Sequence, residues 1–194
     1  YRLGDNVRFG DLDPNQHVNN AVYATYFETG RVTLMKDRSF GLTPPGLGWM
    51  LVRLDINDTT KVVGDLAESW TVSDDGLTYT FKLKPGLKFA SGNPITAADV
   101  AYSFERAVKL DKSPAFIINQ FGISGDNVAE KAKAVDDTTF QFTVDKAYAP
   151  SFVLNCLTAT VASVVDKKLV LEHVKAVTPD AEHKYDNDFG NEWL

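Results

Sequence analysis

Cysteine is all but missing from this chain. Among 194 residues only Cys156 occurs, so no internal disulfide can form and a disulfide-held scaffold is excluded. Its surroundings, Phe152-Val153-Leu154-Asn155-Cys156-Leu157, are apolar and predict a buried, inert thiol rather than a nucleophile. Histidine is scarce as well. His17, His173 and His183 are the three present, none at metal-ligand spacing from a partner, so no zinc site is expected. His173 and His183 are expected to be exposed. No apolar run reaches the roughly 18 residues of a membrane span. Positive charge is in deficit: 20 Lys and Arg stand against 26 Asp and Glu, a net charge of −6 that argues against a nucleic-acid partner. Internal repeats and low-complexity tracts are lacking, and no cofactor motif stands out. A start at Tyr1, without Met or signal sequence, reads as a processed form or an excised piece.

What remains is ordinary in composition, with 44% hydrophobic and 24% charged residues, enough for one sizeable core or a large domain with a small appendage. The texture changes near residue 57. Before it, residues 5–9 predict a short strand and residues 18–36 a long helix. Val22, Tyr26, Phe27 and Leu34 recur there at roughly helical spacing, and Glu28 pairs with Arg31 on one face. Gly41-Leu42-Thr43-Pro44-Pro45-Gly46 ends it, and residues 49–56 read as a strand.

After residue 57 the pattern is one of hairpins. Leu77, Tyr79, Phe81 and Leu83 alternate with Thr78, Thr80, Lys82 and Lys84, and Asp74-Asp75-Gly76 turns this strand onto the one around Ser69-Trp70-Thr71-Val72. Thr96 with Asp99 three residues on predicts a capped helix carrying Val100, Phe104, Ala107 and Val108 as its apolar stripe. A second hairpin is expected from residues 132–135 and 139–144 around Asp136-Asp137. Pro150 opens another helix, residues 166–174 supply one more, and the Asp-rich tail reads as a loop ending in a docked Trp193. Trp70, Tyr79, Phe81 and Phe104 are predicted core. Lys82, Lys84 and Lys88 are predicted to form a solvated edge that discourages strand-to-strand aggregation. Strands arriving in turn-linked pairs give an α+β class: an antiparallel sheet of hairpins with packed helices.

Chemistry concentrates in Phe9-Gly10-Asp11-Leu12-Asp13-Pro14-Asn15-Gln16-His17-Val18-Asn19-Asn20. Asp13, Asn15 and His17 place a carboxylate, an amide and an imidazole at alternate positions before the free backbone donors of a helix start. Two readings stand side by side: turn formers with a backbone-satisfying imidazole, or groups that orient water and a thioester carbonyl. With Tyr23 and Tyr26-Phe27-Glu28 added, residues 1–56 resemble acyl-CoA and acyl-carrier-protein thioesterases of the hotdog fold. The resemblance implies a partial hotdog strand-helix-strand unit. It makes Asp13 the base or nucleophile, with Asn15 and His17 orienting substrate and water, and backbone amides polarising the carbonyl. Acyl-CoA or acyl-carrier protein is the implied partner, in the cytoplasm. The strands after Ile56 do not continue that fold.

Residues 57–194 resemble periplasmic dipeptide- and oligopeptide-binding proteins that feed ATP-driven importers. The resemblance rests on Gly64-Asp65-Leu66-Ala67-Glu68-Ser69-Trp70, Ser73-Asp74-Asp75-Gly76-Leu77-Thr78-Tyr79-Thr80-Phe81, Leu83-Lys84-Pro85-Gly86-Leu87-Lys88-Phe89, Thr96-Ala97-Ala98-Asp99-Val100 and Ser103-Phe104-Glu105-Arg106. Val135-Asp136-Asp137-Thr138-Thr139, Ala149-Pro150-Ser151-Phe152 and Val165-Asp166-Lys167-Lys168 extend it. It implies a periplasmic peptide partner and one inserted subdomain of the first lobe, standing away from the cleft, so no ligand-binding residue is carried over. The joint expectation is a chimera of residues 1–56 and 57–194. The first 56 residues are too few for a core of their own. They are expected to pack Val22, Tyr26 and Leu34 on the sheet or on a second copy in a homodimer.

Overall fold

Alternating apolar and polar residues put one face of a sheet into the core, and the sheet here forms on that alternation. The computed structural model describes residues 51–55, 61–179 and 184–193, which all fall in one unit, Pro45–Leu194. Strands β1 (Val52–Asp55) and β2 (Lys61–Gly64) form an antiparallel ribbon. The strand expected over residues 49–56 is thus present, and it pairs across the expected boundary at residue 57.

A four-stranded antiparallel sheet follows, in the order β3-β4-β6-β5. Its strands are β3 (Ala67–Val72), β4 (Thr78–Leu83), β5 (Ala132–Asp136) and β6 (Thr139–Thr143). Both predicted hairpins form. Asp75 carries the first turn by accepting from the Leu77 N–H and the Ser73 hydroxyl, with Gly76 at φ 72°, where a side chain would be strained. Between β4 and β6, Tyr79 faces Phe142 and Phe81 faces Phe140, so alternate residues of both strands line one face. All four are fully buried.

Helix α1 (Ala97–Leu110) crosses that face. Its start matches the expected capping: the Asp99 carboxylate accepts from the Thr96 N–H at 2.8 Å and the Thr96 hydroxyl at 2.6 Å. The Ala97 N–H donates to the Asp137 carbonyl at 2.8 Å, tying the helix to the tip of the β5–β6 turn. Phe104 then packs its ring, tilted, against Phe140 and Phe142 at centroid distances of 5.1 and 5.4 Å. Val100, Phe104 and Val108 are buried as predicted.

Two four-residue helices were not visible in the sequence pattern, α2 (Phe116–Asn119) and α3 (Val128–Lys131). Helix α4 (Pro150–Cys156) begins on Pro150 as expected, and α5 (Lys167–Leu171) is capped by the Asp166 side chain. A short 3₁₀ turn, Thr160–Ala162, joins them. The tail is a loop with one antiparallel bridge, Ala176 to Asn187, and Trp193 packs against Tyr102, Val165 and Val170.

The lysine expectation is corrected. Lys82 lies on β4, an interior strand flanked by β3 and β6, and its Nζ donates to the Thr138 and Thr139 hydroxyls at 2.7 and 3.1 Å. Lys84 Nζ donates to the carbonyls of Gly64 and Asp65. All three lysines, Lys88 included, are exposed as expected, but Lys82 and Lys84 tie loops to the sheet instead of guarding an edge, because strand order depends on long-range pairing that alternation alone does not set. The partial hotdog segment lies, apart from residues 51–55, outside the described residues.

Candidate functional site

Helix α1 has a second buried face, and the ionisable groups of the described body gather there. Asp99, Ser103, Tyr102 and Arg106 recur at three- and four-residue spacing, which places them along one side of the helix away from Phe104. Ser103 is buried. Its hydroxyl donates to the Asp99 carbonyl at 2.7 Å and accepts from the Val165 N–H at 2.9 Å. Asp99 Oδ1 accepts from the Lys167 N–H at 3.1 Å. Helix α1 therefore grips the chain just ahead of α5.

Asp166 completes that junction. Its Oδ2 accepts from the Ser91 hydroxyl at 2.6 Å and the Asn93 side-chain amide at 2.8 Å, and its Oδ1 accepts from the Leu169 N–H at 3.1 Å. Burial pushes this carboxyl up, but the hydrogen bonds from Ser91, Asn93 and the backbone outweigh it and hold it below the ordinary value. Asp188 repeats the arrangement in the tail. It accepts from the backbone N–H groups of Lys175, Gly190 and Glu192, and those bonds again overcome the effect of burial to keep it low. Arg106 Nε donates to the Phe189 carbonyl at 2.8 Å, and burial lowers its pKa.

Above this junction lies an open cavity of about 340 Å³, lined by Tyr102, Leu171, Val174, Ala176, Asp186, Asn187 and Phe189. Its walls are mostly apolar. The Tyr102 hydroxyl at its base has no hydrogen-bond partner in the described body, and burial pushes its pKa up. His173 belongs to the same region and corrects the expectation that it stands exposed. It is half-buried, its ring stacks on Trp193 at 4.1 Å, and its Nδ1 meets the Leu169 carbonyl at 2.9 Å, where it must donate.

Cys156 is half-buried, less enclosed than the sequence predicts; burial raises its thiol pKa, and the Gln120 amide lies 3.6 Å from its sulfur. Among the described residues no cluster of three His, Cys, Asp or Glu could hold a metal ion, and no helix is long and apolar enough to cross a membrane. The predicted site residues Asp13, Asn15 and His17, with Glu28 and His183, lie outside the described residues. Asp166 and Asp188 escaped the sequence reading as anchors, although each precedes a turn or helix start, the local signal for a carboxylate that caps backbone donors.

Residues 61–192 match the sequence model of the bacterial extracellular solute-binding proteins, family 5, middle region. The chain belongs to that family. Residues 7–103, half of the chain, match the thioesterase-like superfamily, so the sequence carries membership of both. The two matches overlap over residues 61–103. There, strand β4 pairs with β6 at residues 139–143, beyond the thioesterase match, so the overlap is built into the solute-binding sheet.

A probable D,D-dipeptide-binding periplasmic protein of Escherichia coli strain K12 is 38% identical over 115 residues, 59% of this chain and 20% of that protein. The dipeptide-binding protein of the same organism is 34% identical over 134 residues, 63% of this chain and 24% of that protein. The substrate-binding domain of an oligopeptide transporter from Bacillus anthracis superposes with a TM-score of 0.54 at 28% identity, covering 66% of this chain and 26% of that one. The chain thus spans between a fifth and about a quarter of these three proteins.

Proposed function

We propose that the described body acts as the scaffold subdomain of a peptide-import receptor, without a complete ligand cleft and without autonomous activity. The carrying observation is where its buried carboxylates point. Asp99, Asp166 and Asp188 each aim their oxygens at the chain's own N–H and O–H groups, and binding a peptide there would require breaking those bonds. The relatives named for dipeptide binding support the family role, and the chain matches only 20% and 24% of their length. On this reading the chain is a hybrid derived mainly from such a receptor, joined near residue 57 to a thioesterase-like segment.

A graft tests the scaffold role. Residues 61–192 replace the matching segment of the Escherichia coli dipeptide-binding protein, and dipeptide affinity is measured by calorimetry once circular dichroism confirms folding. Affinity within a few-fold of the unaltered receptor is expected. A folded graft with a hundredfold loss would show that the segment carries ligand contacts and would overturn the reading.

A second reading, thioester hydrolysis, is favoured by the match over residues 7–103 and by the Asp13 motif. In it Asp13 activates water or attacks, while Asn15 and His17 orient an acyl-CoA or acyl-carrier-protein thioester. Hydrolysis of short acyl-CoA substrates that disappears in Asp13→Asn would establish it. Equal rates in both proteins would exclude Asp13 as the catalytic group.

A further inference from the structure

Tyr102 and Arg106 stand four residues apart on α1 and therefore share one face of the helix. Neither has the partner that burial calls for. Tyr102 is 8% exposed, and its hydroxyl finds no hydrogen-bond partner. Arg106 is half-buried and donates through Nε to the Phe189 carbonyl, but among the described residues it makes no ion pair. Asp188 is within electrostatic reach of both side chains, yet its oxygens accept from the N–H groups of Lys175, Gly190 and Glu192. A second cation adds to the first: Lys167 Nζ lies 5.7 Å from the centre of the Tyr102 ring.

Tyr102 lines the 340 Å³ tail cavity together with Leu171, Val174, Ala176 and Phe189, whose side chains offer apolar contact and no hydrogen bond. Phe189 sits at φ 49°, a costly conformation for an aromatic residue, with its carbonyl on Arg106 and its ring edge-on to Tyr185 at 5.5 Å. The contacts that build this wall are thus the ones that hold the guanidinium. Of the two polar residues of the cavity, the Asn187 amide donates to the Asp186 carboxylate at 3.2 Å.

We propose that this cavity binds a small aliphatic carboxylate, its oxygens accepting from the Tyr102 hydroxyl beside the Arg106 charge and its chain lying against Leu171, Val174 and Phe189. Three features select that class. The buried hydroxyl lacks an acceptor, the half-buried cation lacks an anion, and the walls suit an apolar body. Peptides are refused, because a peptide group against these walls loses its water and gains no partner. Asp186 and Asp188 oppose an anion, which keeps the affinity modest. The inference is independent of the scaffold reading, since the seat takes no peptide and uses neither Asp166 nor Asp188 as a ligand contact.

The test titrates hexanoate into the full chain and follows amide shifts by NMR, with hexanol and a dipeptide as controls. Hexanoate should saturate with a dissociation constant of about 1 mM or tighter, and hexanol should bind about tenfold more weakly. Tyr102→Phe should weaken hexanoate about tenfold without lowering the melting temperature, since it deletes a hydroxyl that bonds to nothing in the fold. That split separates a ligand contact from a packing residue. Arg106→Gln should abolish the preference for hexanoate over hexanol; should it loosen the tail, Tyr102→Phe decides alone. No saturation by about 20 mM, hexanol binding as tightly as hexanoate, or Tyr102→Phe binding like wild type would each overturn the proposal. Dipeptide binding that Tyr102→Phe removes would overturn the ligand class.

Discussion

The two faces of helix α1 are buried by different physics. The inner face meets the sheet through Val100, Phe104 and Val108, where packing of rings and branched side chains excludes water. The outer face meets the loops through Asp99, Ser103 and Arg106, which make directed hydrogen bonds to backbone groups there, beside the apolar packing of Tyr102. Apolar packing tolerates small shifts and contributes through area. The polar junction contributes little net energy per bond, yet it leaves a large penalty when one partner is removed. The inner face thus holds the body together, and the outer face fixes where the connecting segments run.

The largest expected effect breaks the inner face. Phe104→Ala removes a ring packed against Phe140 and Phe142 and should destabilise by about 3–5 kcal/mol, measured by urea unfolding. A loss below about 1 kcal/mol would mean that the site collapses freely and that the ring packing contributes little. Next comes the outer face. Asp166→Ala strands the Ser91 hydroxyl, the Asn93 amide and the Leu169 N–H, and should cost about 2–3 kcal/mol. Ser103→Ala, which strands the Val165 N–H, should cost about 1–2 kcal/mol.

Acid sharpens the contrast, because apolar packing does not titrate. Asp166 and Asp188 are held below their ordinary values in the folded body, and Asp136 falls to about 2 through hydrogen bonds from Thr139 and Thr138. Their contribution is complete above the unfolded carboxylate value of about 4 and is lost as pH falls through the folded values. The melting temperature should be level from about pH 7 to 5 and drop between about pH 4 and 2. Asp136→Asn should flatten the lower part of that drop. A wild-type curve level to pH 2 would contradict these assignments. The smallest effect belongs to the exposed Lys175–Glu192 pair at 2.6 Å, where Lys175→Gln should leave the urea midpoint unchanged.

The same contrast explains what was legible in the sequence. Periodicity exposes the inner face: the alternation of Tyr79 and Phe81, the stripe of Val100 and Phe104, and the Thr96 cap all report local structure that the chain then adopts. The outer face depends on groups distant in sequence. Val165 meets Ser103, Asp166 meets Ser91, and Trp193 meets His173, and no spacing rule links such pairs. Helices α2 and α3 are four residues each, too short for a helical period to register. Lys82 was misplaced because its strand gains a second neighbour only when β6 returns after α1. Of the candidate catalytic group, Asp13, Asn15 and His17, the sequence supplies the motif and a family match over residues 7–103, while the described body begins at residue 51.

Calorimetric titration of the intact chain with a dipeptide and a tetrapeptide tests the scaffold account most directly. The account predicts no saturable heat, because the buried carboxylates already hold their own backbone. A single-site isotherm tighter than about 10 µM, abolished by altering Asp166 or Asp188 in a protein that stays folded, would contradict it.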